Sequence, residues 1–477
     1  VNQRHVVVIG NGMVGARFAE EVARRDPAGE RVHLTVLGAE EEPAYNRVLL
    51  PGVVSGAYTP EDIYLPCPEQ PSISVRTGTA VQAVDAESCD LTLDDGTRMG
   101  YDELVLATGA RASFPPVTGV AAKDGTPAPG VTALRDMADC HRVQALVRPG
   151  APAVVLGGGV LGLEAARALA ERGVRVSVVE AAPWLMRRQI DQAAAAILAE
   201  RYRALGVAVH SWRVAARWIP GTGLELDDGR ILAGDALLVT AGARANTELA
   251  KDAGIAVEHG VLVDDTLTTS HPRVHAIGDC AQHTGGGAGL VQPGWEQAAV
   301  LADLLTGTAP EARYTGARPI TRLKAEGIDL TSLGETEADD TAETVTIADP
   351  YGGRYAKLSV RAERVAGAVL LGFPDAASAI AQLFDTRAAV PADRLALLQG
   401  RPQPEADDVQ AAAQADPLIC RCNAVTRNQI EAAWLDGART RDTIAAQTRA
   451  TTGCGSCIRD VNTLLSGWSA AAPADVS

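Results

Sequence analysis

The stretch VVVIGNGMVGARFAEEVAR, residues 6–24, decides how the rest of the chain is read. An apolar run from Val6 to Ile9 leads into Gly10-x-Gly12-x-x-Gly15 and then into the spacing of an amphipathic helix. Each glycine has its own task. Gly10 makes the tight turn, Gly12 lets the backbone approach a pyrophosphate, and Gly15 lets the helix pack on the strand, so that helix N–H groups face the phosphates. A glycine triplet alone is a weak signal. Its setting between strand and helix, followed by a second strand pattern over 32–37 that ends near Glu40, is what a dinucleotide cradle requires.

The arrangement recurs in AVVLGGGVLGLEAARALAERGVRVSVVE, residues 153–180, with Gly157, Gly159 and Gly162 spaced like the first triplet and Glu180 closing the next strand. Two cradles imply two dinucleotides. An acid at Glu180 accepts hydrogen bonds from both hydroxyls of an adenosine ribose and repels a 2′-phosphate, which favours NADH over NADPH. Arg187 and Arg188 lie just beyond and favour the phosphate instead, so NADPH stays possible. The plain alternative is a solvated acid at a strand end.

A chain of 477 residues divides into three or four domains at ordinary domain sizes. It is 47% hydrophobic but only 4% aromatic, and glycine or charge interrupts every apolar stretch before it reaches the length of a bilayer span. No membrane segment is expected. The net charge of −16 opposes binding to a polyanion, so no nucleic-acid partner is expected either. The chain enters its first apolar run without the pattern of a secretion signal, which points to the cytoplasm. Cys67, Cys89, Cys140 and Cys280 are scattered singly, as reduced thiols in a reducing compartment are.

Three further stretches extend the pattern: YDELVLATGAR, a buried strand ending in Ala107-Thr108-Gly109; VHAIGDCA, with Asp279 after another strand; and the helical PGWEQAAVLADLL. Together with the two cradles they resemble the pyridine nucleotide-dependent flavoprotein reductases. The resemblance implies an α/β fold with two Rossmann-like domains, the NAD domain inserted into the FAD domain, followed by a third α+β domain. It assigns Gly10, Gly12, Gly15, Glu40, Arg47, Thr108, Gly109 and Asp279 to FAD, and Gly157, Gly159, Gly162, Glu180 and Gly242 to NAD. Arg47 offers a fixed cation beside a pyrophosphate and Asp279 offers acceptors to hydroxyls. Arg47 as a surface ion-pair partner is the alternative.

LGAEEEPAYNRVLLPGVVSG, LMRRQID, AGARANTELA and RLKAEGIDL narrow the likeness to the flavoprotein part of assimilatory nitrite reductase and to electron-transfer subunits of assimilatory nitrate reductase. Where related reductases place Ser-Lys, Leu50 is here followed by Pro51-Gly52, so that lysine is missing. Lys324 is the candidate to support the flavin N5, and Glu164 the candidate to face the nicotinamide. A helix carboxylate at the positive end of the dipole needs no such role. Disulfide reductases of this fold carry a cysteine pair early in the FAD domain, but no cysteine precedes Cys67. No dithiol relay is expected.

Half of the eight cysteines lie in LICRCN and TGCGSC, as Cys420, Cys422, Cys454 and Cys457. Three chemistries compete for them. Structural zinc usually takes two Cys-x-x-Cys knuckles, whereas the first pair here is one residue apart. A redox disulfide across Cys454 and Cys457 would follow a strand in a thioredoxin-like unit. The stretch between the pairs instead reads as helices, opening with a capping box at Thr426 and Gln429. The segment resembles bacterioferritin-associated ferredoxin domains, in which four thiolates hold a [2Fe-2S] cluster; thiolates suit iron in both oxidation states.

The expected order is an FAD-binding domain over 1–117 and 246–311, an NAD-binding domain over 118–245, an α+β domain over 312–399, a linker over 400–416 and a small all-helical [2Fe-2S] domain over 417–468. Roughly 17 flexible linker residues reach on the order of 20 Å, enough for the cluster domain to swing between flavin and partner. The resemblance implies an FAD-dependent NAD(P)H oxidoreductase that passes hydride to FAD and then single electrons through the cluster. With no sirohaem domain in the chain, the expected acceptor is a separate terminal reductase, the molybdenum catalytic subunit of assimilatory nitrate reductase first, or a nitrite reductase. The alternatives are service to another oxidoreductase, such as an opine-type dehydrogenase or a ferredoxin-type reductase, and a redox- or iron-sensing partner-binding module.

Overall fold

The computed structural model describes residues 3–123, 125–284, 289–318, 320–337, 339, 341–401, 416–420, 423, 425–453, 455 and 457–471. The chain divides into two compact units, one of residues 1–47, 59–113 and 242–319, the other of residues 48–58, 114–241 and 320–477.

The first unit is built on the opening stretch. Val6, Val7 and Val8 are wholly buried, as a strand covered on both faces must be. That strand, Arg4–Ile9, lies at the centre of a five-stranded parallel sheet in the order Val274–Ala276, Glu103–Leu106, Arg4–Ile9, Val32–Leu37, Ile73–Arg76. The strand order reverses at Arg4–Ile9, and a crevice opens at the carboxyl ends of the strands at such a switch point. The helix Met13–Arg25 leaves from that point. A three-stranded antiparallel sheet, Val81–Asp85, Asp90–Leu93 and Arg98–Gly100, completes the crossover.

One carboxylate sets the turn from this helix back into the sheet. Asp26, 4% exposed, accepts from the backbone N–H groups of Glu30 (3.1 Å), Arg31 (2.9 Å) and Val32 (3.0 Å).

The second unit repeats the design with the parallel order Ala208–Ser211, Arg175–Glu180, Pro152–Leu156, Ala236–Val239, Val131–Ala133, and its cradle helix is Val160–Glu171. The short helix Leu50–Ser55 groups with this unit although its numbers fall inside the first. Gln144 donates to the carbonyl of Val53 (2.9 Å) and Arg172 to that of Val54 (2.8 Å), which ties it there.

From Ile320 the same unit continues into a five-stranded antiparallel sheet ordered Ile320–Ala325, Ile328–Gly334, Arg364–Leu371, Arg354–Arg361, Glu343–Asp349, covered by the helix Pro374–Thr386. Arg201 donates to the carbonyls of Gly353 (3.0 Å) and Gly327 (2.7 Å), and Asp191 accepts from Tyr355 (2.8 Å) and Lys357 (3.2 Å). These bonds fasten the antiparallel sheet to the second cradle domain.

The C-terminal segment forms helices Arg427–Leu435, Arg441–Thr448 and Ile458–Ala471, with Thr426 and Gln429 closing a capping box. To the expected helices it adds a short antiparallel pairing of Leu418–Cys420 with Val425–Thr426. Most of the linker, residues 402–415, lies outside the described residues. Among the described residues no helix is long and apolar enough to cross a membrane.

Replacing Asp26 by Ala leaves three backbone donors without their carboxylate and should cost about 3 kcal/mol. Asp26→Asn, which keeps one acceptor oxygen, should lose less. Denaturant unfolding followed by flavin release checks this; equal midpoints for all three proteins would contradict it.

Candidate functional site

The two cradles share one construction. At Gly10 the backbone has φ +117°, and a Cβ would stand 2.2 Å from the carbonyl oxygen of Ala107. At Gly15 it would stand 1.9 Å from the carbonyl oxygen of Gly10. In the second cradle a Cβ on Gly162 would meet the Gly157 carbonyl at 1.9 Å, and Gly157 has φ +122°. Strand end and helix therefore touch through main chain alone, which only glycine permits. The middle glycines do the reverse. A Cβ at Gly12 would meet nothing nearer than Arg47 Nε at 3.8 Å, and one at Gly159 nothing within 4 Å. The helix starts thus face open space with their first-turn N–H groups, as a pyrophosphate requires.

Around the first cradle Glu40 is paired with Arg47 and accepts from the Tyr45 hydroxyl at 2.5 Å, while the Arg47 guanidinium lies 4.7 Å from the centre of the Tyr45 ring. Tyr45 was not singled out in the sequence; its position two residues before Arg47 is the only signal for it. Asn246 is a second such residue. Its side-chain amide donates to the Thr108 carbonyl (2.8 Å), its main-chain carbonyl accepts from the Thr108 hydroxyl (2.7 Å), and its main-chain N–H donates to the Gly109 carbonyl (2.9 Å). The Thr108-Gly109 turn, with Gly109 at φ +66°, is held at three points. Asp279 lies in the turn Gly278–Cys280, half-buried; the N–H of Gly278 donates to Gln297 at 2.7 Å, and Trp295 Nε1 donates to the Met13 carbonyl at 3.0 Å. These bonds seat the Asp279 turn and the helix Val291–Thr306 against the first cradle helix.

In the second unit the Glu180 carboxylate accepts from the N–H groups of Gly158 (2.6 Å) and Ala182 (2.7 Å), which orients it at the end of its strand beside the cradle. Gly158 allows this, because a Cβ there would come 2.9 Å from Glu180 Cβ. Arg187 stacks over Trp184 at 5.0 Å. Gly242, with φ +110°, falls in the first unit, where its carbonyl accepts from the N–H of Ser113 (3.0 Å) at the pairing of Ala110–Ala112 with Ala243–Ala245.

Glu164 and Lys324 are brought together, through the main chain. The Lys324 N–H donates to Glu164 Oε1 at 2.8 Å, and one turn along the same helix Arg167 donates to the Glu326 carbonyl at 3.0 Å. Glu164 is deeply buried, and loss of solvation pushes its carboxyl up to about 7 despite the opposing Lys324 charge and N–H.

In the C-terminal segment Cys420 and Cys457 are buried inside one small core with Val425, Ile430, Ile444 and Val461. Cys422 and Cys454 lie outside the described residues.

Residues 4–300 match the family model for pyridine nucleotide-disulphide oxidoreductases. The chain belongs to this family. Residues 319–387 match the rubredoxin NAD+ reductase C-terminal domain, and residues 418–466 the BFD-like [2Fe-2S] binding domain. The chain is 33% identical over 465 residues to the nitrite reductase [NAD(P)H] of Bacillus subtilis, covering 96% of this chain and 57% of that protein. It is 31% identical over 480 residues to the assimilatory nitrate reductase electron transfer subunit of the same organism, covering 98% and 60%. The chain therefore spans somewhat over half the length of these relatives. The covalent putidaredoxin reductase–putidaredoxin complex shares the fold, with TM-score 0.75 and 24% identity over 86% of this chain and 99% of that one.

The chain is accordingly an FAD-dependent NAD(P)H oxidoreductase of this fold with a [2Fe-2S] domain. Its residues fit the groups. Both cradles leave the space a pyrophosphate needs, Arg47 and Glu180 supply a cation and an acceptor of the right sign, and Cys420 and Cys457 lie in the same small core.

Because its folded-state pKa is raised, Glu164 favours the native state most below its ordinary pKa of 4.5, and that contribution is lost as pH rises towards about 7. Shifting a pKa by that much corresponds to on the order of 3 kcal/mol. Glu164→Gln should flatten the stability profile between those pH values. Melting midpoints of loaded protein across that range check it, and parallel profiles would contradict it.

Proposed function

We propose that the chain is an electron-transfer flavoprotein subunit that oxidises NAD(P)H, NADH by preference, and hands the two electrons singly to a separate assimilatory nitrate reductase catalytic subunit bearing molybdenum, in the cytoplasm. The observation that carries this reading is the presence, in one chain, of two dinucleotide cradles and a four-cysteine domain along an alignment that takes in 98% of the chain with the nitrate reductase electron transfer subunit. A nitrite-reducing centre is the second reading, favoured by the 33% identity to the nitrite reductase. When bound, FAD supplies a hydride acceptor and the [2Fe-2S] cluster a one-electron carrier.

The chain's own residues bind and orient. Gly10, Gly12 and Gly15 bring main-chain donors up to the FAD pyrophosphate, Arg47 offsets its charge, Asp279 accepts from hydroxyls, and Asn246 fixes the Thr108-Gly109 turn that borders them. Gly157, Gly159 and Gly162 do the same for the nicotinamide nucleotide, Gly242 is assigned to it as well, and Glu180 takes the adenosine ribose hydroxyls and disfavours a 2′-phosphate. Glu164 is assigned to face the nicotinamide and Lys324 to support the flavin N5; the hydrogen bond between them keeps the antiparallel sheet on the second cradle helix. Cys420, Cys422, Cys454 and Cys457 are assigned as the cluster ligands.

Reconstitution with a nitrate reductase catalytic subunit tests the scheme. Cys457→Ser should abolish NADH oxidation coupled to nitrate reduction, while flavin content and NADH-dependent reduction of ferricyanide stay close to the parent. Persistent nitrate reduction by this variant would refute the role of the cysteine domain, and no coupled turnover by the parent would refute the acceptor.

A further inference from the structure

The C-terminal domain and the strand Ile320–Ala325 belong to the same compact unit. Asp460, in the first turn of the helix Ile458–Ala471, approaches Arg322 Nη1 at 3.9 Å, with the two side chains only 27% and 19% exposed. Arg322 and Lys324 alternate with buried residues along their strand, so both cations stand on its less buried face. The domain as a whole does not explain the pair. Over 417–467 the arginines 421, 427, 439, 441, 449 and 459 outnumber Glu431, Asp436, Asp442 and Asp460, yet the group meeting the cation is an acid.

The second contact is made by a glycine that stands between two of the cysteines in the sequence. Gly455, between Cys454 and Cys457, has φ +73°, and a Cβ there would come 3.2 Å from Leu49 Cδ2. Leu49 immediately precedes the helix Leu50–Ser55, which Gln144 and Arg172 tie to the second cradle domain. Glycine at 455 thus serves twice, allowing a left-handed turn and a close approach to Leu49.

We infer that Leu49 and Arg322 form an intrachain dock for the C-terminal domain, which seats the Gly455 turn on Leu49 and pairs Asp460 with Arg322. Resting on the function proposed above, this is the seat that the domain leaves to meet its partner. It also sets Leu49 against Gly455, so an external acceptor that approaches at Gly455 competes with Leu49 for that place. A partly exposed ion pair is weak and is screened by salt, which suits a seat that must release. Arg322 and Asp460 are positioning residues here.

Hydrogen–deuterium exchange on the full, cofactor-loaded chain tests the dock without relying on turnover. Arg322→Glu, and separately Asp460→Arg, should speed exchange in both 48–58 and 455–461 by roughly three- to tenfold. The Arg322→Glu/Asp460→Arg swap should bring both segments back towards the parent rate, and NADH-dependent ferricyanide reduction should be unchanged in all three. Parent-like exchange in the single variants, or a swap that fails to recover it, overturns the dock. Failure of the electron-transfer reading appears separately, as a cluster in the parent protein that NADH does not reduce.

Discussion

Twice in this chain the carbonyl oxygen of a glycine at a strand end occupies the space where a side chain on the next helix would stand. A Cβ at Gly15 would lie 1.9 Å from Gly10 O, and a Cβ at Gly162 would lie 1.9 Å from Gly157 O. That main-chain contact fixes the angle at which each helix leaves its sheet, and so the direction in which its free N–H groups point. Other groups near each cradle are held by hydrogen bonds of their own. Glu180 is oriented by Gly158 and Ala182, Asp279 by the packing of its turn on the first cradle helix, and the Thr108 turn by Asn246.

The family is named for disulphide chemistry, to which Cys67, Cys140 and Cys280 are poorly suited. Cys140 and Cys280 are buried, and burial pushes both thiols up, Cys140 to about 12, away from reactive thiolates. Cys67 is exposed, but partial burial and the charges of Glu69 and Glu20 raise it as well. Residues 418–466, which contain Cys420, Cys422, Cys454 and Cys457, match a [2Fe-2S] binding domain.

Much of this was legible in the residues because the cradles are local. Three glycines, the strand before them and the acid after the next strand lie within about 30 residues, which is the size of the βαβ unit itself. The capping box at Thr426 was legible for the same reason. What escaped is held by side chains that bond distant main-chain carbonyls, which carry no residue signature. Arg172 and Gln144 capture the carbonyls of Val54 and Val53, and so residues 48–58 join the second unit. Asn246 clamps a turn 138 residues away. The pairing of Leu418–Cys420 with Val425–Thr426 escaped because strands of three and two residues leave no periodicity to read.

The central claim is that electrons from a nicotinamide nucleotide bound at the second cradle arrive at a cluster held by the four C-terminal thiolates of the same chain. Anaerobic titration of the purified, loaded protein with NADH, followed by optical and electron paramagnetic resonance spectra, tests it most directly. The account predicts flavin bleaching together with a one-electron iron–sulfur signal. Flavin bleaching with an intact cluster that stays oxidised and silent would contradict it.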